Sequence, residues 1–130
     1  MHDKLLAAAR ALLPNSAAPY SRFRVAAVLE SDDGATHPGV NVESVSYGLS
    51  MCAERNALFG AIERGSREFR RLAVVSETVR PVLPCGACRQ VLFEHAPGLI
   101  LLVERPDGSA EEIPLAQLLP RAFTEFKPLD

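Results

Sequence analysis

Apolar residues along the chain switch between a helical and an extended spacing, and the switches mark its elements. Leu5, Leu6, Ala9, Leu12 and Leu13 recur at helical intervals behind Asp3, which can cap a helix start. Pro14 ends that helix, and residues 15–21, with Pro19 and two serines, read as a loop. The nearly continuous apolar run from Arg24 to Glu30 predicts a strand. Asp32-Asp33-Gly34 is a hairpin turn signal, and a second strand follows to about Val42. Ser50 then offers an N-cap for a helix over Cys52 to Arg64. Ala57, Leu58, Ala61 and Ile62 give it a buried face, and Gly65 stands at its stop. Leu72 to Ser76 is a short apolar strand suited to a sheet covered on both faces. Pro84 precedes a helix from Cys85 to about His95, closed by Pro97-Gly98. Leu99 to Glu104 is the next strand, Pro106-Asp107-Gly108 turns the chain, and Ala110 to Ile113 is the last strand. Leu115 to Leu119 forms a short helix, and the tail from Arg121 is too short to fold alone.

Helices between strands imply crossovers, and two hairpins imply antiparallel edges. The expected architecture is therefore α/β, a mixed sheet with helices on its faces. With 130 residues, 48% hydrophobic and 23% charged, the chain is expected to be one globular domain over 1–130, which excludes disordered and fibrous classes. A net charge of −2 leaves no basic surplus for gripping phosphate backbones, so no nucleic-acid partner is expected. No apolar run approaches the ~20 residues of a membrane span. Arg10 and Pro14 break the N-terminal apolar stretch, which is too short for an export signal. A cytoplasmic protein without a membrane partner is the expectation.

The candidate chemistry lies in three cysteines, Cys52, Cys85 and Cys88. An odd count without an export signal argues against a disulfide framework. Cys85 and Cys88 are spaced to face one side of a helix, and Cys52 opens another helix. Helix starts carry partial positive charge and favour thiolates. Two such starts sharing three thiolates suit a soft divalent metal, zinc above all, and three protein ligands leave a position open for water. Three thiolates also donate much charge. Arg55 is placed to offset it, and Glu54 to handle protons beside the water. Two other readings stay open at this level: a redox Cys-x-x-Cys pair, and a structural zinc site closed by His2, His37 or His95.

Cys52-Ala53-Glu54-Arg55 and Pro84-Cys85-Gly86-Ala87-Cys88-Arg89-Gln90 closely resemble the signature of the cytidine deaminase family, in its small, homotetrameric, three-cysteine form. Ala18-Pro19-Tyr20-Ser21-x-Phe23 resembles the family's pocket-wall loop, Gly39-x-Asn41-x-Glu43 its nucleoside-binding strand, and Leu118-Leu119-Pro120-x-x-Phe123 its C-terminal signature. The resemblance implies a three-layer α-β-α sandwich on a five-stranded mixed sheet. It implies one zinc per subunit on Cys52, Cys85 and Cys88, with Glu54 as proton shuttle and Arg55 bonded to the ligand sulfurs. Asn41 and Glu43 would bind the ribose hydroxyls, Phe23 would pack on the pyrimidine, and Ala53 would contact the substrate. Phe123 would reach a neighbouring subunit's site and Tyr47 would lie near a shared one, in a homotetramer with active sites near its interfaces. The implied reaction is hydrolytic deamination of cytidine and 2′-deoxycytidine, a pyrimidine salvage step. The chain departs from the family pattern at Ala26, Ser44 and Asn56, where Gly, Asn and Thr are common, and at Val40, where Cys is frequent. Blasticidin S-type deaminases share the Cys-Ala-Glu and Pro-Cys-x-x-Cys parts, whereas Phe23 and Asn41-x-Glu43 favour a ribonucleoside.

Overall fold

Asp3 caps the first helix as its position predicts: its carboxylate accepts the Leu5 N–H at 2.8 Å. In the computed structural model, which describes residues 3–78, 81–126 and 128, α1 spans Lys4–Leu12 and buries Leu5, Leu6 and Ala9. Pro14 does not stop the chain outright; Leu13–Asn15 tightens into a 3-10 turn that tolerates a residue without an N–H. Five strands follow in the order expected: β1 Val25–Ser31, β2 Thr36–Val40, β3 Phe69–Ser76, β4 Ile100–Glu104 and β5 Ala110–Pro114. Helix α2 is Ala53–Glu63, α3 is Gly86–His95, and Leu115–Leu118 forms a short 3-10 helix.

The sheet order is β2-β1-β3-β4-β5, with β3 and β4 parallel and the other neighbouring pairs antiparallel. Alternation along the strands sorts the core into two layers. Val25, Ala27 and Leu29 of β1 and Leu72 and Val74 of β3 pack against α2 and α3. Ala26 and Val28, with Ala73 and Val75, pack against α1. This is the α-β-α sandwich, and the central strands are covered on both faces. β3 begins at Phe69, earlier than its apolar run, because Arg71 lies opposite Glu30 and bonds its carboxylate at 3.0 Å. β2 stops at Val40, short of the expected Val42, and Val42 makes only single bridges to Ala17 and Met51.

Gly65 ends α2 with φ +96, and the N–H groups of Gly65 and Ser66 close back on Ile62 and Ala61 at 3.0 Å each. The starts of α2 and α3 differ from expectation. Ser50 is not the α2 cap, since its hydroxyl accepts the Ser44 N–H at 3.0 Å. Cys52 and Cys85 themselves occupy the N-cap positions. β2 and β3 run in one direction, both antiparallel to β1, so their carboxyl ends and the amino ends of α2 and α3 meet at one end of the sheet. In α/β sheets that end is where ligands bind.

The opposite end of β2 is pinned by His37. Arg64 donates from Nε (3.2 Å) and Nη2 (3.1 Å) to its Nδ1, so the ring proton sits on Nε2, between the hydroxyls of Ser31 (3.3 Å) and Ser66 (3.2 Å). Burial first, then the Arg64 charge, hold its pKa below 6.5, with Asp33 pulling the other way. The unfolded chain therefore binds this proton more readily than the folded one. Stability should be fully present above about pH 6.5 and should fall as the pH drops from there toward the lowered folded-state value. Thermal unfolding across a pH series should show this fall in the wild type and a smaller one in His37→Gln. Identical pH slopes in the two proteins would contradict the assignment.

Candidate active site

The two helix starts bring the three thiols together. Cys52 Sγ lies 3.9 Å from Cys85 Sγ, and Cys85 Sγ lies 3.5 Å from Cys88 Sγ. All three sulfurs fall within 4.8 Å of one another, and among the described residues no histidine joins them. His37 is held by Arg64, His95 closes the far end of the ten-residue α3, about 15 Å along its axis, and His2 lies outside the described residues. Zinc–sulfur bonds of about 2.3 Å in tetrahedral arrangement would set neighbouring sulfurs about 3.8 Å apart, close to the observed spacing. A soft donor set of three thiols without a fourth protein ligand therefore fits zinc with a position left open.

Charge is arranged around the sulfurs as the sequence suggested. Arg55 donates from Nη2 to Cys52 Sγ at 3.4 Å, while its Nε is buried without a hydrogen-bond partner. The Cys52 contact, then that of Cys88, raises the Arg55 pKa against burial, so the guanidinium stays charged. Burial alone would raise Cys85, but the first-turn amides of Cys88 and Ala87 and the neighbouring thiols pull its pKa down. Cys88 is fully buried, and burial, followed by the negative charge of Glu54, pushes its thiol up. Glu54, on the first turn of α2, is only 4% exposed. Burial raises its pKa against the opposing pull of its own backbone amide and Arg55, which suits a carboxyl that takes up and returns a proton.

A cavity of ≈ 270 Å³ joins these groups to the other candidates. That is just under the ~300–1,000 Å³ usual for ligand pockets. Cys52, Cys85 and Glu54 line it together with Asn41, Glu43, Phe23, Val25 and Ala53. Asn41 and Glu43 follow β2 rather than lying within it, and hydrogen bonds orient both. Asn41 Nδ2 donates to Phe23 O at 2.8 Å, and its Oδ1 accepts from the Val25 N–H at 3.0 Å and from the Ser16 hydroxyl. Glu43 Oε1 accepts the N–H groups of Tyr20 and Ser21 at 3.0 Å each, and Oε2 accepts from the Ser21 hydroxyl. A larger cleft of ≈ 690 Å³, which includes Arg22, Arg24 and Glu77, contains neither the cysteines nor Glu54.

Tyr47 and Phe123 stand outside the cysteine cavity. Tyr47 meets Tyr20 edge-on, with ring centroids 6.0 Å apart, beside a second cavity that shares Ser21 and Glu43 with the first. Phe123 is exposed, and its carbonyl accepts from Gln90 Nε2 at 2.6 Å, while Arg89 bonds the carbonyls of Pro84 and Leu118. Residues of the cysteine motif thus anchor the tail. The departure at Asn56 has a local role: its amide donates to Val40 O at 2.8 Å and ties α2 to the end of β2. Ser21 stood in the pocket-wall motif without a role of its own, whereas Val82 and Leu83, which line the cavity, and Ser16, which bonds Asn41, were missed. Only proximity to Pro84-Cys85 and to Phe23 could have pointed to them.

Residues 1–103 match the family model described as the cytidine and deoxycytidylate deaminase zinc-binding region. A cytidine deaminase from Halalkalibacterium halodurans is 50% identical over 107 residues, covering 82% of this chain and 81% of the relative. One from Sporosarcina psychrophila is 42% identical over 124 residues, covering 95% and 91%. The crystal structure of cytidine deaminase from Burkholderia pseudomallei superposes with a TM-score of 0.88 at 46% identity, covering 95% of this chain and 99% of that one.

Proposed function

The chain belongs to the cytidine and deoxycytidylate deaminase family, and from that premise we propose that it hydrolyses cytidine and 2′-deoxycytidine to the uridines and ammonia, as a step of pyrimidine salvage. The observation that carries the reading is the cavity itself, where two thiols of the three-cysteine cluster and a buried carboxyl share the lining with an oriented amide and carboxylate. Cys52, Cys85 and Cys88 would hold one zinc ion per chain. When bound, it supplies Lewis acidity that makes water a nucleophile near neutral pH. Asn41 and Glu43 bind sugar hydroxyls, a donor–acceptor pair that fits an alcohol. Phe23 and Ala53 flank the pyrimidine and orient C4 toward the thiols. As water oxygen adds to C4, Glu54 takes one of its protons and delivers it to N3. Glu54 then carries the second proton to the exocyclic nitrogen, the C4–N bond breaks, and ammonia leaves. Arg55 balances the thiolate charge.

The chain works as one catalytic domain in a homotetramer. Val45, Tyr47, Leu49, Phe123 and Phe126 are each at least 66% exposed, and neighbouring copies would cover such apolar side chains. Phe123 of one copy would then reach a neighbour's cavity, and Tyr47 would lie near a shared one. Free thiols held for a metal suit the reducing cytoplasm, no helix among the described residues is long and apolar enough to cross a membrane, and nucleic acid is not a partner. A competition panel of cytidine, 2′-deoxycytidine, blasticidin S and single-stranded DNA tests the reading. Turnover confined to the two nucleosides is expected; preferred turnover of blasticidin S or DNA would overturn the substrate assignment.

A further inference from the structure

We propose that Ser21 is a positioning residue that aims the Glu43 carboxylate at a sugar hydroxyl of the substrate, an inference that rests on the nucleoside reading above. Its hydroxyl oxygen accepts the Phe23 N–H at 3.0 Å, so the hydroxyl proton is free to point at Glu43 Oε2. The contact therefore has a fixed direction, from Ser21 to the carboxylate. The Ser21 hydroxyl first, and then the backbone amides, hold the Glu43 carboxyl below the usual carboxylate range.

Counting lone pairs shows what is left for a ligand. An ionised carboxylate offers about four acceptor sites. Two amides and the Ser21 hydroxyl use three of them, and the remaining one is on Oε2, the oxygen that Ser21 holds. Asn41 is similarly committed. Both acceptor sites of its Oδ1 are filled and one Nδ2 proton is used, which leaves a single N–H. The pair thus presents one acceptor and one donor.

Glu43 borders two cavities, the one with the cysteines and the one with Tyr20 and Tyr47. Ser21 borders both as well, and its hydroxyl is the side-chain contact that fixes the direction of Oε2. Without it, Oε2 loses its tie and the carboxylate is free to turn about the bonds that Oε1 keeps to the Tyr20 and Ser21 amides.

Steady-state kinetics of Ser21→Ala, Ser21→Thr, Glu43→Gln and the Ser21→Ala/Glu43→Gln double variant test this, with cytidine and 2′,3′-dideoxycytidine as substrates. Ser21→Ala should raise KM for cytidine about tenfold, the size of one charge-assisted hydrogen bond, with kcat nearly unchanged. Ser21→Thr keeps the hydroxyl and should restore KM. The alanine change should have no further effect in the Glu43→Gln background or on the dideoxy substrate, which lacks the hydroxyl. An unchanged KM, or an equal loss on the dideoxy substrate or in the Glu43→Gln background, would overturn the positioning role. A wild type that does not turn over cytidine would instead overturn the nucleoside reading.

Discussion

Glu54→Ala is expected to keep its zinc and to lose most of its turnover, about 10²- to 10⁴-fold, the range for removing a general acid–base group. Glu54 is separate from the sulfur cluster, so its removal leaves all three donors in place. It is the buried carboxyl in the cavity, and burial favours its protonated form, as needed by a group that receives a proton before passing it on. The other carboxylate lining the cavity, Glu43, is committed to the loop containing Tyr20 and Ser21 and cannot take its place. Metal analysis and turnover on one preparation check the expectation. Retained activity would remove Glu54 from the proton path, and loss of zinc would make it a structural support of the metal.

Gly39→Ala should act on the fold and on the site together. A Cβ at Gly39 would fall 2.3 Å from Ala53 O and 2.5 Å from Ala57 N, both backbone atoms of α2. Neither can swing aside as a side-chain tip would, so the helix has to move off β2. Overpacking of this kind costs about 1–3 kcal/mol. The same helix start carries Cys52 and Glu54, and a misplacement of about 1 Å at a catalytic group costs about 100-fold in rate. The variant should therefore melt earlier and turn over more slowly. Gly98→Ala, where an added Cβ meets nothing within 4 Å, should change stability by no more than about 0.5 kcal/mol. A Gly39→Ala protein as stable and active as the wild type would show that α2 does not depend on this close approach.

The elements that spacing alone made legible are those whose order comes from burial. Leu5, Leu6 and Ala9 face the core as their helical spacing requires, and the β1 run alternates between the two core layers. Helix starts were less legible. Ser50 has the composition of a cap, but Ser44 takes its hydroxyl and the cysteines fill the cap positions. The metal cluster could be read because thiols at two helix starts carry their own chemistry. The choice between an open and a histidine-closed site could not, because His37 is satisfied by Arg64 across the fold. Ser21 reaches Glu43 through a loop in which Arg22 adopts φ +56, a conformation that no apolar period encodes. Tyr47 and Phe123 carried a signal only through the family resemblance, since both are exposed and neither lines the cysteine cavity within one chain.

Cytidine turnover, followed by ultraviolet absorbance, with zinc counted on the same sample, is the deciding measurement. Uridine and ammonia are expected from protein holding one zinc per chain, with loss of both metal and turnover after chelation and recovery of both on adding zinc back. Folded protein that carries its zinc and leaves cytidine unchanged would contradict the nucleoside reading.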